Sequence, residues 1–150
     1  MESFERKQSD IEKLLKEGKT VQIMPEGYSM YPLFVPGRDW AVIEPLSGKK
    51  PKRGDVVLYR RKNSILVLHR VYKCRGNSCY MVGDNQSETE GPIGEECIRG
   101  ILIGVVRRGS YLPVSNPLYK LLSGLWLLLR PLRPALSAAA AYLKRVFMRR

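Results

Sequence analysis

The sequence predicts a mainly β fold: an antiparallel β-sheet domain with a short N-terminal helix and C-terminal amphipathic helices. Three observations predict it. Between Lys19 and Val106 the apolar residues fall in short runs, several of them alternating with polar residues. Clusters of Gly, Pro, Asn and Asp separate these runs at close spacing, with no helical segment between them. After Asn116 the spacing changes, and leucines recur at helical intervals. The expected organisation is a helix over 1–18, a β domain over 19–112 and a basic amphipathic tail over 113–150.

The first helix is expected from Ile11, Leu14 and Leu15, with Phe4 on the same face. Ser9 or Asp10 is the expected N-cap and Gly18 the stop. Val21 and Ile23 open the first strand. The stretch Gly27-Tyr28-Ser29-Met30-Tyr31-Pro32 must turn, because glycine permits positive φ and proline fixes φ. Pro36-Gly37-Arg38-Asp39 is a second turn, before a strand from Trp40 to Ile43. A polar loop over 44–54 leads to the strand Val56–Tyr59, and a basic turn over 60–64 leads to the strand Ile65–Tyr72. Arg75-Gly76-Asn77-Ser78 is a hairpin loop, and Tyr80-Met81-Val82 returns from it. Residues 86–96 read as an acidic loop, and Ile98–Val106, with Gly100 and Gly104, as a last bent strand or strand pair.

The tail begins with Asn116 as N-cap and Pro117 at the first helical position. Leu118, Leu121, Leu122, Leu125, Leu128 and Leu129 form one stripe, and the run 121–129 is too short to span a bilayer. After Arg130-Pro131-Leu132-Arg133-Pro134 a second helix is expected. Its apolar face would carry Leu136, Ala139, Ala140, Leu143 and Phe147, with Lys144, Arg145, Arg149 and Arg150 near its end.

At 150 residues and 44% hydrophobic, the chain suffices for one core with appendages. Its net charge of +12 is unevenly spread. Residues 1–96 hold 16 basic residues against all 14 acidic ones, while residues 97–150 hold the other 10 basic residues and no acid. A tail of this charge attracts anions. With Trp126 and the leucine stripe, it predicts a helix lying in an anionic membrane interface over 117–150. The alternative is that the stripe packs on the β domain. Nucleic acid is not expected as a partner, because aromatic platforms interleaved with basic residues are lacking, Trp126, Tyr142 and Phe147 being the main aromatics. The N-terminus MESFERKQSD has no apolar segment, so neither a cleavable signal peptide nor an N-terminal span is predicted. Cys74, Cys79 and Cys97 are expected as reduced thiols, although Cys74 and Cys79 can face each other across the hairpin. Three scattered cysteines and one histidine make no zinc site, and no cofactor motif is present.

Ser29 on its constrained turn is the candidate nucleophile. His69, the one histidine, is the candidate base. An imidazole can take a serine proton, and a carboxylate can fix the imidazole tautomer. Asp84 is the first candidate for that carboxylate. A ladder that sets Cys74 opposite Cys79 sets His69 opposite Asp84, provided that it runs without a bulge. Glu88 and Glu90 are alternatives in the following loop.

Gly27–Pro32, Lys52-Arg53-Gly54-Asp55-Val56-Val57, Leu68-His69-Arg70-Val71, Gly83-Asp84-Asn85 and Gly104-Val105-Val106 occur in an order that resembles type I signal peptidases. Histidine at position 69 resembles their endoplasmic-reticulum and archaeal variant, where many bacterial members use lysine. The resemblance covers about residues 20–106. It implies a membrane-associated serine endopeptidase that cleaves signal or leader peptides without a cofactor. Ser29 would be the nucleophile, His69 the general base, and Asp84 or Glu90 the acid. Met30 would line a groove that takes small residues at P1 and P3. Two departures stand beside it. Some histidine-type members carry aspartate where this chain has Glu90, and the N-terminal span usual in the family is not predicted from residues 1–18, so the tail is the expected anchor. The related self-cleaving repressor peptidases use lysine and carry a DNA-binding domain, for which residues 1–18 are too short. A non-catalytic peptide- or partner-binding β module on the same framework is the alternative function.

Overall fold

Residues 21–113 carry the antiparallel β structure that the patterning predicts. The computed structural model describes residues 2–62, 65–135 and 138–139. Helix α1 (Glu2–Lys16) precedes β1 (Val21–Ile23), β2 (Asp39–Glu44), β3 (Val56–Arg60), β4 (Leu66–Arg75), β5 (Ser78–Val82), β6 (Glu90–Gly94), β7 (Ile98–Arg107) and β8 (Ser110–Pro113). Helix α2 (Pro117–Leu128) and a 3-10 turn (Arg130–Leu132) follow. The strands form one eight-stranded sheet in the order β1-β2-β7-β3-β4-β5-β6, and β8 pairs with β7 beside that path.

Alternation along β3 divides the interior. Val56 and Leu58 join Leu15, Met30, Phe34, Ala41, Ile43, Leu68, Leu102 and Val105 in one core. Val57 and Tyr59 point the other way, into a cluster with Val71, Cys79, Met81 and Ile98. Period-two side-chain direction thus places β3 between two apolar layers.

Several boundaries differ from expectation. Helix α1 starts well before Ser9 and Asp10, so neither residue is its N-cap. Its end is as expected. Gly18, at φ 79°, lets the Gly18 N–H donate to Leu15 O and the Lys19 N–H donate to Leu14 O. Part of the expected 86–96 loop is strand β6, which among the described residues pairs with β5 alone. An edge position tolerates Pro92. The range expected as a bent strand or a strand pair is one continuous strand, β7, whose hairpin partner β8 lies beyond it, and Gly104 makes room for the pairing. A Cβ there would lie 2.2 Å from the Tyr111 ring.

The β4–β5 hairpin corrects two further readings. Cys74 and Cys79 are directly opposed and joined by a disulfide, so they are not free thiols. The ladder then shifts: Lys73 pairs with Tyr80, but Val71 pairs with Met81 and Arg70 with Val82. Tyr72 is the extra residue, a bulge. The unbroken register that would set His69 opposite Asp84 does not occur.

In the tail, Asn116 caps α2 by accepting from the N–H groups of Leu118 (2.9 Å) and Tyr119 (3.2 Å). Helix α2 docks on the β domain through Ser123 and Leu127, which are buried, and not through its leucine stripe. Among the described residues, no helix is long and apolar enough to cross a membrane. The second tail helix rests largely on residues 136, 137 and 140–150, which lie outside the described residues.

Candidate functional site

Ser29 and His69 line one cavity of about 340 Å³, together with Ile11, Ile23, Leu66 and Gln86. Helix α1, strands β1, β3 and β4 and the Ser29 turn supply its walls. The turn closes with the Tyr31 N–H donating to Tyr28 O (3.1 Å) and the Phe34 N–H donating to Met30 O (2.9 Å). Met30 is buried in the core beneath it, which fixes the turn from below. Tyr28 and Tyr31 flank Ser29 in exposed positions.

A second turn holds the first. The Asn85 N–H donates to Ser29 O at 2.8 Å, and the Gln86 N–H donates to Gly83 O at 3.0 Å. Gly83 is required there by space: a Cβ would stand 2.6 Å from both Ser29 O and Gln86 Oε1. The Gly83-Asp84-Asn85 stretch therefore positions the serine through its backbone.

Downstream of Ser29, Asp39 anchors the rest of the loop. Its buried carboxylate accepts from the Val35 N–H and from the Arg38 and Arg107 guanidiniums at 2.8–2.9 Å. Burial disfavours its charge, but the two arginines and the Val35 N–H win, and its pKa is well below the carboxylate range.

Asp84 does not reach His69 as the expected acid. Its carboxylate takes both Nε (2.7 Å) and Nη2 (2.8 Å) of Arg70, and both side chains are buried. Arg70 Nη1 donates to Gly54 O (2.8 Å) and to Ser123 Oγ of α2. The physical reason is the Tyr72 bulge, which breaks the register that would have opposed Asp84 to His69, combined with a buried guanidinium next to Asp84.

The carboxylate linked to His69 is Glu90, and the link is indirect. Tyr59 Oη lies 3.1 Å from His69 Nδ1 and donates to Glu90 Oε2 at 2.8 Å. Arg61 grips both oxygens of Glu90, its Nε donating to Oε1 and its Nη2 to Oε2, the oxygen Tyr59 also uses, each at 2.6 Å. This bidentate pair lowers the Glu90 pKa, so Glu90 is an acceptor only. The Tyr59 hydroxyl has one proton, and it donates that proton in the hydrogen bond to Glu90. Tyr59 Oη must then accept the Nδ1 proton of His69, which assigns the imidazole lone pair to Nε2. Burial first, then the hydrogen bond to Glu90 and the Glu90 charge, raises the Tyr59 pKa and keeps the phenol protonated.

His69 is itself buried, at 3% exposure. Burial lowers its pKa to about 4, and the nearby Arg61 adds to this against the pull of Glu90 and Asp84. The ring is neutral at pH 7. Among the described residues, none hydrogen-bonds to the Ser29 hydroxyl, and the Ser29 N–H donates to no backbone oxygen. Glu88 lies in an exposed turn and takes no part.

Sequence reasoning missed Tyr59, Arg61, Arg70 and Gln86. The β3–β4 register could have signalled Tyr59. Val57 pairs with His69, so Tyr59 sits two residues along on the same face. No known family model matches the chain, and no curated protein matches it.

Proposed function

We propose that this protein is a serine endopeptidase of the Ser–His kind, similar to signal peptidase I. One observation carries the reading: Ser29 shares a cavity with His69, and the Tyr59–Glu90–Arg61 chain leaves the free lone pair of His69 on Nε2. Nε2 takes the Ser29 hydroxyl proton as Oγ attacks the substrate carbonyl carbon. The Ser29 N–H donates to the oxyanion of the tetrahedral intermediate. The intermediate collapses, His69 returns its proton to the leaving amine, and an acyl ester remains on Ser29. Water then attacks the ester as His69 again accepts a proton, the Ser29 Oγ–acyl bond breaks as His69 returns that proton to Oγ, and the carboxylic acid product leaves.

The cavity suits an extended peptide. Strand β1 ends the sheet, and Ile23, Met24 and Pro25 reach into the cavity from it. An extended substrate can pair along such an edge. The narrower substrate class, a signal or leader peptide with small residues at P1 and P3, rests on the sequence resemblance.

The test is cleavage of a signal-peptide-like substrate by the full chain and its variants. Ser29→Ala and His69→Ala are each expected to abolish turnover, and an acylating reagent is expected to label Ser29 in the unsubstituted protein. Cleavage retained in either variant sinks the assignment. Failure of Ser29 to acylate favours the non-catalytic peptide-binding module.

A further inference from the structure

We propose that the outer face of α2 and the cleft at its C-terminal end form a docking surface for an anionic membrane. The proposal does not rest on the peptidase reading. It begins with how α2 is held. Ser123 Oγ accepts from buried Arg70, the Trp126 Nε1–H donates to Asp84 O at 2.8 Å, and Leu127 is buried. Arg133 Nη1 also donates to Asp84 O, and its Nη2 donates to Trp126 O at 2.7 Å. These contacts fix the rotation of the helix. Leu118, Leu121, Leu122, Leu125 and Leu128 are consequently held outward, at 47–67% exposure, and Leu132 continues the patch at 54%. A contiguous apolar stripe of this kind marks an interaction surface, unlike scattered exposed leucines.

The stripe ends at a basic cleft of about 470 Å³, lined by Arg53, Tyr72, Ser87, Leu128 and Arg130. The Tyr72 bulge builds it. The Arg53 and Arg130 guanidinium carbons lie 5.5 Å and 4.7 Å from the Tyr72 ring centre. Arg61, Arg70 and Arg107 each hold a carboxylate. Among the described residues, Arg53, Arg130 and Arg133 hold none. Arg130 Nη2 donates to the backbone carbonyl of Ser87 at the same cleft. Phosphate oxygens of lipid headgroups are acceptors of the right charge for the Arg53 and Arg130 guanidiniums that line the cleft, while Arg133 is engaged in holding α2.

The occupant is argued from charge and from the leucines together. Residues 97–150 carry 10 basic residues and no acid, so a second copy docking by the same face would set like charges against each other. Nucleic acid would satisfy the arginines and leave the leucines in water. An anionic bilayer satisfies both, with the leucines at the acyl boundary and the arginines at the phosphates. The surface also lies next to the candidate site, because Trp126 and Arg133 hold the carbonyl of Asp84, one residue before the N–H that holds Ser29.

The test is co-sedimentation of the full chain with phosphatidylcholine vesicles, with and without phosphatidylglycerol. The unsubstituted protein is expected to pellet with the anionic vesicles and to stay in solution with the neutral ones. Leu121→Glu/Leu125→Glu is expected to lose pelleting, with a thermal melt like that of the unsubstituted protein. Arg53→Gln/Arg130→Gln is expected to weaken anionic-vesicle affinity about fivefold for each charge removed. Absence of pelleting with anionic vesicles, equal pelleting with neutral ones, or unchanged pelleting of the leucine variant would each overturn the proposal. So would a dimer in light scattering that Leu121→Glu/Leu125→Glu dissociates. Acylation of Ser29 is measured without vesicles, so its failure with lipid binding intact sinks the peptidase reading alone.

Discussion

Tyr59 has one proton and two partners, and that makes it the most exposed point of the proposed mechanism. Tyr59→Phe keeps the apolar packing of β3 and removes the acceptor for the His69 Nδ1 proton. The expected outcome is a fall in kcat/KM of about tenfold to a hundredfold with little change in Tm, read by peptide hydrolysis and thermal melting. His69 also sets a pH dependence. Burial lowers its pKa to about 4, from an ordinary value near 6.5. The acid limb of kcat/KM is therefore expected near pH 4, and a limb near 6.5 would contradict the buried position. The folded state binds fewer protons than the unfolded chain between these two values. The His69 contribution is thus fully present above about pH 6.5 and is lost as pH falls towards 4. Its size is about 3 kcal/mol. Asp84 gives the opposite kind of prediction. Asp84→Asn leaves the Arg70 guanidinium buried without a counter-charge, a loss of about 3–5 kcal/mol. Calorimetry should show a large drop in Tm, with the protein that remains folded still able to acylate. Arg70→Met in the same chain should restore much of the stability. Full stability with lost acylation in Asp84→Asn would return Asp84 to the role of catalytic acid.

At the scale of elements, two turns make one device: the Ser29 turn sits on the Gly83–Gln86 turn. Gly83→Ala places a methyl 2.6 Å from Ser29 O, and backbone cannot yield as a flexible side chain can. The expected result is a stability loss of about 1–3 kcal/mol together with a fall in acylation rate larger than that loss explains. An unchanged acylation rate would mean that Asn85 and Gly83 do not position the serine. These elements also mark how far the sequence could be read. The strands β2, β3 and β4 were legible because Val, Ile, Leu and Tyr crowd into short runs between turn residues. Strand β6 was not, since Glu90-Gly91-Pro92-Ile93-Gly94 has little strand propensity and is a strand only because the β5 edge pairs with it. Ser29, Met30 and His69 were legible as residue types on a turn and in a strand, and the cavity brings them together. The acid was legible only as a choice among carboxylates. Separating Asp84 from Glu90 needs the Tyr72 bulge, which no local propensity reveals, and the phenol between His69 and Glu90, which an apolar strand conceals.

For the whole molecule, the question is whether the tail is a separate appendage or part of the domain. The charge division suggests an appendage: a nearly balanced body and a strongly basic end. The contacts suggest otherwise. Helix α2 supplies Ser123 to the buried Arg70–Asp84 pair and Trp126 to the carbonyl of Asp84, while its leucines face outward. It is thus an integral layer on one side and a free surface on the other. Ending the chain at Ser115 would open the Arg70–Asp84 pair to water and release the far side of the turn that holds Ser29. Such a truncation is expected to lower Tm by several degrees and to reduce acylation of Ser29 by about tenfold or more in vesicle-free solution, where membrane contact plays no part. A separable anchor would behave differently: the shortened protein would keep its Tm and its acylation rate and lose only its affinity for anionic vesicles. Measuring both quantities on one preparation decides between them, because α2 as a layer of the fold changes stability and chemistry together.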